Sequence, residues 1–223
     1  MWKTPVLIVN FKLYKSGVGE KALELARILD KVSKERGVSI IAAVNTFDAY
    51  RIKNEVKIPV ILQHADAVEF GAHTGRINVE LAREYNLDGL LINHSERMLK
   101  ISDIDFLIQK SKDLNMVSVV CANNSRVAGA LAFLEPDFIA MEPPELIGGN
   151  VSVSTAKPEA IVETIEAVKS VRNIPVLVGA GIKNGKDVRK AIELGAEGVL
   201  VASGVVKAKD PEMALNDLIG GMM

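Results

Sequence analysis

Cysteine is almost missing from this chain of 223 residues: Cys121 stands alone, so no intrachain disulfide can form, and a reducing, cytoplasmic setting is the default expectation. Charge of one sign is missing too. Lys plus Arg number 27 against 28 Asp plus Glu, a formal net charge of −1, which leaves no bulk basic field for nucleic acid or an anionic membrane. Any anionic substrate must therefore be held by a local site. No apolar run approaches the roughly 20 residues needed to span a bilayer, and Met-Trp-Lys-Thr-Pro at the start lacks the apolar stretch of a secretory leader. His64, His73 and Cys121 do not fall into metal-ligand spacing, so no metal is expected. Gly/Ser linkers, low-complexity tracts and long charge blocks are also lacking, which argues for one domain over residues 1–223.

What the chain has instead is a regular alternation. Apolar runs at 6–9, 39–43, 60–63, 89–92, 117–121, 138–140, 176–178 and 199–201 read as eight strands, near-continuous in hydrophobicity as parallel strands buried on both faces are. Amphipathic stretches separate them. Residues 20–36 carry Ala22, Leu25, Ala26, Leu29 and Val32 on one stripe, and residues 158–171 begin with a proline and repeat Ile161, Ile165 and Val168. Further helices are expected at 47–54, 78–85, 103–112, 125–133, 186–194 and 211–218. Eight βα units fit a closed (β/α)8 TIM barrel better than an open doubly wound sheet, because eight parallel strands close around an interior that side chains can fill. The open sheet remains the alternative.

In a barrel the chemistry sits where the strands end. Those positions carry Asn10, Lys12, Asn45, Gln63, His64, Asn93, His94, Asn123, Glu142, Gly179, Gly181 and Ser203. Met141-Glu142-Pro143-Pro144-Glu145-Leu146-Ile147-Gly148-Gly149-Asn150 places a carboxylate at a strand end, followed by a stiff proline pair and a glycine pair, the pattern of a reactive acid beside a hinged lid. A surface turn is the plainer reading. Lys12 offers a fixed ammonium for a phosphate or a developing oxyanion, or is simply a solvated loop lysine. His94 lies where a strand gives way to a turn or short helix at Ser95–Arg97; the field of a helix N-terminus there would keep its imidazole neutral and able to donate to a carbonyl. Its alternative is a structural cap. The small-residue turns Gly179-Ala180-Gly181 and Ala202-Ser203-Gly204 present backbone N–H groups to a bound anion after the last two strands.

Taken jointly, Asn10-Phe11-Lys12, Asn93-His94-Ser95-Glu96-Arg97, Glu142-Pro143-Pro144-Glu145-Leu146-Ile147-Gly148, Gly179-Ala180-Gly181-Ile182 and Ala202-Ser203-Gly204-Val205-Val206-Lys207 resemble the triosephosphate isomerase family in its short archaeal form. The resemblance runs from the first strand to the last helix. It implies interconversion of dihydroxyacetone phosphate and D-glyceraldehyde 3-phosphate through an enediolate, in glycolysis and gluconeogenesis and without a cofactor. A Glu base working beside a neutral His is the family's well-known division of labour. By resemblance Glu142 is the base, His94 the electrophile and Lys12 the cation at the reacting oxygen, with Asn10 beside it and Glu96 in support. The backbone at Ile147, Gly148, Gly181, Ala202 and Ser203 matches the phosphate loops. Gly71-Ala72-His73-Thr74-Gly75 matches a loop that enters a neighbouring subunit, which implies that Thr74 braces a partner's Lys12 in a homodimer or homotetramer.

Two departures stand out. Gly149-Asn150 occupies the place where related archaeal sequences carry Thr-Gly, a freer far hinge for the lid. After Arg97 the loop Met98-Leu99-Lys100 is one residue shorter than is usual. The competing readings are another phosphate-binding barrel, such as a sugar-phosphate epimerase or phosphoribosyl isomerase, and a barrel that binds a phosphometabolite without turnover. The carboxylate or metal sets of the first are not found at the strand ends.

Overall fold

The computed structural model describes residues 2–143 and 158–223. The eight apolar runs form β1 (Val6–Asn10), β2 (Ser39–Val44), β3 (Val60–Leu62), β4 (Gly89–Ile92), β5 (Val117–Ala122), β6 (Phe138–Met141), β7 (Val176–Val178) and β8 (Gly198–Val201). Each strand pairs in parallel with the next and β8 pairs with β1, giving a closed barrel and setting the open sheet aside. Among the described residues the intervening helices are α1 (Glu20–Arg36), α2 (Thr46–Glu55), α3 (Val79–Glu84), α4 (Ile101–Asp113), α5 (Ser125–Ala132), α6 (Pro158–Lys169), α7 (Gly185–Glu193), the single turn α8 (Ser203–Val206) and α9 (Pro211–Gly220).

Local chemistry explains the boundaries. The expected apolar stripe of α1 is buried, and the helix stops at Gly37, whose left-handed φ of 66° lets its N–H reach Ser33 O. Asn45, Asn78, Asn124, Asn184 and Asp210 cap α2, α3, α5, α7 and α9 through their side-chain oxygens. Several expected ends move by one or two residues. Strand β1 includes Asn10, β3 stops before Gln63, and α4 begins at Ile101 rather than at Asp103. The turn α8 was not anticipated, since four residues hold no helical period.

Two buried clusters divide the core. One contains every buried apolar helical side chain together with Leu7, Val9, Ile40 and Ala42, and lies between barrel and helices. The other contains strand residues alone, Val6, Ile8, Ile41, Ala43, Ile61, Leu91, Val119, Cys121, Phe138, Ala140, Leu177 and Leu200, and is the barrel interior. Because strand side chains alternate, the inward set continues to Asn10 on β1, to Cys121 on β5, to Glu142 after β6, to Gly179 after β7 and to Ala202 after β8.

At the other end of the strands, Gly89 pairs with Ile61 and Val117, and a β-carbon there would collide with the Val117 carbonyl and lie 3.2 Å from Ile61 Cγ2. Overpacking of this kind costs about 1–3 kcal/mol. Gly89→Ala is therefore expected to lower the midpoint of thermal unfolding, as read by circular dichroism, with the barrel retained below it.

Candidate active site

Five strand ends, those of β1, β4, β6, β7 and β8, converge on one mouth. A cavity of about 170 Å³ there is bordered by Lys12, His94, Glu142, Gly181, Ala202 and Ser203, all singled out in the sequence. Glu96 and Gly179 border it as well. Asn10 does not; it is buried just below, and its Oδ1 accepts the Lys12 backbone N–H at 3.0 Å. Ile147 and Gly148, with the hinge at Gly149 and Asn150, lie outside the described residues. Thr74 sits on an exposed loop that is not part of this mouth.

Glu142 follows Phe138 and Ala140 inward and is only 3% exposed. Burying a carboxylate is costly unless donors surround it. Its Oε1 lies 3.0 Å from His94 Nε2, and its Oε2 faces the Ser95 N–H at a long 3.4 Å. A third donor is Cys121, to which the sequence alone assigns no role beyond the absence of a disulfide and of metal-ligand spacing. The Cys121 thiol donates to the Glu142 carboxylate, and burial, followed by the Glu142 charge, pushes its pKa well above the ordinary thiol value. Gly179 also has a role beyond a turn: a β-carbon there would stand 2.8 Å from Glu142 Cγ and 3.0 Å from Met141 O. Both residues were findable from strand parity, since each falls on the inward set.

His94 is oriented by its own backbone. The Glu96 N–H lies 3.1 Å from His94 Nδ1. A backbone amide can only donate, so Nδ1 is the acceptor and the ring proton sits on Nε2, aimed at Glu142. The helix N-terminus expected at Ser95–Arg97 is not there. Asn93 adopts φ 60°, its Oδ1 takes the Leu99 N–H, and Arg97 N–H closes on His94 O, so the chain makes one turn and leaves without propagating a helix. The Asn93 kink also breaks the strand alternation, which turns His94 rather than Asn93 toward the mouth. Among the described residues Ser95 Oγ is the one buried side-chain N or O atom without a hydrogen-bond partner.

Lys12 adopts a left-handed φ of 49°, uncommon for a residue with a long side chain. Asn10 Oδ1 on its N–H and Gln63 Nε2 on its carbonyl, at 3.0 and 3.2 Å, hold it there. Its ammonium is 2.8 Å from Glu96 Oε1, which ties β1 to the loop after β4. Opposite, the Lys207 ammonium sits 4.1 Å from the centre of the Tyr14 ring, pinning another residue of the mouth to the segment after α8. Among the described residues no group of three His, Cys, Asp or Glu side chains could hold a metal ion.

Beside the mouth, buried His64 faces Asp66 at 3.4 Å, and Asp66 also receives Arg76 at 3.0 Å and the Ile77 N–H at 2.8 Å. Arg97 approaches the same carboxylate at 3.5 Å. Burial, then the positive field of Arg97, holds the His64 pKa below its ordinary value despite Asp66. The unfolded chain thus protonates first as pH falls. The stability gained by keeping this ring neutral is complete above about pH 6.5 and is lost as pH drops toward the lowered folded value. Melting temperatures across that window should rise with pH in the parent and rise less steeply in His64→Gln.

A family model described as triosephosphate isomerase matches residues 5–220 of the chain. A curated triosephosphate isomerase of Methanothermus fervidus is 49% identical over 219 residues, covering 98% of this chain and 99% of that protein. One of Archaeoglobus fulgidus is 50% identical over 221 residues, 99% of each. A third, from Methanothermobacter thermautotrophicus, is 49% identical over 97% of this chain and 95% of its own length.

Proposed function

The chain belongs to the triosephosphate isomerase family, and on that premise we propose how its own residues divide the work. It is an isomerase that interconverts dihydroxyacetone phosphate and glyceraldehyde 3-phosphate, the step shared by glycolysis and gluconeogenesis. Glu142 removes the proton from the carbon next to the carbonyl and returns it to the neighbouring carbon. His94 Nε2–H and the Lys12 ammonium stabilise the charge that builds on the enediolate oxygens. The backbone at Gly181, Ala202 and Ser203 holds the phosphate, and Ile147 and Gly148 belong to the same substrate-binding set. Asn10 and Gln63 position Lys12, Glu96 sets its ion pair, and Gly179 gives Glu142 room.

The observation that carries this reading is the pair His94 Nε2 and Glu142 Oε1 at 3.0 Å, with Nδ1 already occupied by a backbone N–H. The same N–H that now donates to Glu142 is the one a substrate carbonyl must take over, so binding exchanges one acceptor for another and frees the carboxylate to reach carbon. The exchange costs little, since the donor is never left unpaired. A positioned base contributes about 10²–10⁴-fold and a preorganised donor about 3–4 kcal/mol, so the two must act together.

Self-association as a homodimer or homotetramer belongs to the same proposal. Leu13, Phe47 and Phe70 are 78%, 97% and 63% exposed, and they lie on the segments after β1, β2 and β3, the last of which also carries Thr74. Apolar surface of this kind favours contact with a second copy, in which Thr74 would brace the neighbouring Lys12. Among the described residues no helix is long and apolar enough to cross a membrane, and we place the enzyme in the cytoplasm.

Glu142→Gln keeps the size and the neighbours of the side chain but cannot accept a carbon-bound proton. Turnover of glyceraldehyde 3-phosphate should fall by at least about 10²-fold while inorganic phosphate still binds and the fold is unchanged by circular dichroism. Retention of most of the parental rate by this variant contradicts the assignment.

A further inference from the structure

A second cavity, of about 470 Å³, opens at the opposite end of the barrel. The strands are parallel, so the starts of β2 and β3 share one rim, and this rim is remote from Glu142. Trp2, which precedes β1, borders the cavity with Lys3, Lys34 and Lys57. None of these three lysines has an ion pair among the described residues. On helix α1, Arg27 pairs with Glu55 and Lys31 with Glu212, each at 2.7 Å, whereas Lys34, like Lys21 and Arg36, has no such partner among the described residues. The one carboxylate bordering the cavity, Asp30, already accepts the Lys57 and Ile58 backbone N–H groups on its Oδ1, at 2.7 and 2.9 Å. Lys34 also complements the C-terminus of α1, but that explanation does not extend to Lys3 or Lys57, which lie outside helices.

The aromatic wall is equally under-used. The Trp2 indole stacks on Phe138 with ring centres 5.7 Å apart, while its N–H, like the Ser39 hydroxyl beside it, has no hydrogen-bond partner among the described residues. A flat aromatic surface with a free donor next to three uncompensated ammonium groups matches a ligand that is planar at one end and multiply anionic at the other. The volume lies within the range of small-molecule sites, about 300–1,000 Å³. We propose that this cavity binds a nucleoside phosphate, with the base against Trp2 and the phosphate among Lys3, Lys34 and Lys57.

Trp2 is the only tryptophan in the chain, so indole fluorescence reports on this cavity directly. The intact protein is titrated with adenosine triphosphate and adenosine monophosphate, and in parallel with adenosine and with inorganic phosphate. Saturable quenching by the nucleotides is expected, at least about tenfold tighter than with either half alone. Lys34→Ala/Lys57→Ala should weaken it by at least about tenfold and leave isomerisation at the parental rate, which also shows that the variant is folded. Absence of saturable quenching into the millimolar range, an equal response to inorganic phosphate alone, or an unchanged response in the double variant overturns the proposal.

Discussion

Closure of the sheet between β8 and β1 is the constraint on which everything else depends. Val6 to Val9 pair with Gly198 to Val201, and that seam brings the end of the first strand beside the end of the last. Only then does Lys12, near the start of the chain, border the same mouth as Ala202 and Ser203, near its end. The same closure forces alternate strand residues inward, and the inward set delivers Asn10, Cys121, Glu142, Gly179 and Ala202 to the upper layers of the interior. The mouth is thus a by-product of filling the barrel, with polar groups replacing apolar ones at the last layer.

That last layer is under electrostatic demand. Glu142 is as buried as the core beneath it, and its cost is offset by the His94 ring, the Ser95 amide and the Cys121 thiol. Lys12 is held in an unfavourable backbone conformation by Asn10, at the end of its own strand, and by Gln63, at the end of β3. Strain at such a position persists because the surroundings over-determine it. The arrangement is stiff where charge must be aimed and permissive at Gly179, where a side chain must have space.

Much of this was legible in the sequence, for physical reasons. Eight apolar runs of the right length, each followed by an amphipathic stretch, leave few folds to choose from, and polar residues at the run ends mark the rim. Glu142, His94 and Lys12 stood out because each is a costly residue at a strand end. Cys121 did not, and Gly179 did so only as part of an anion-binding turn, since an apolar thiol and a turn glycine have ordinary explanations until strand parity fixes which way they point. The segment after His94 read as a helix start because Ser, Glu and Arg are common there. The left-handed Asn93 and its bond from the Leu99 N–H are tertiary facts that no local pattern carries. The Glu96 amide that sets the His94 tautomer is of the same kind.

A backbone donor on Nδ1 leaves His94 protonated on Nε2, and we propose that this one N–H serves first Glu142 and then the substrate. With only three histidines in the chain, the ring nitrogens can be assigned in a ¹⁵N-labelled sample by comparison with a His94→Gln variant. At neutral pH the His94 spectrum should show an unprotonated Nδ1 and a proton on Nε2. A proton on Nδ1, whether from the other tautomer or from an imidazolium, contradicts it.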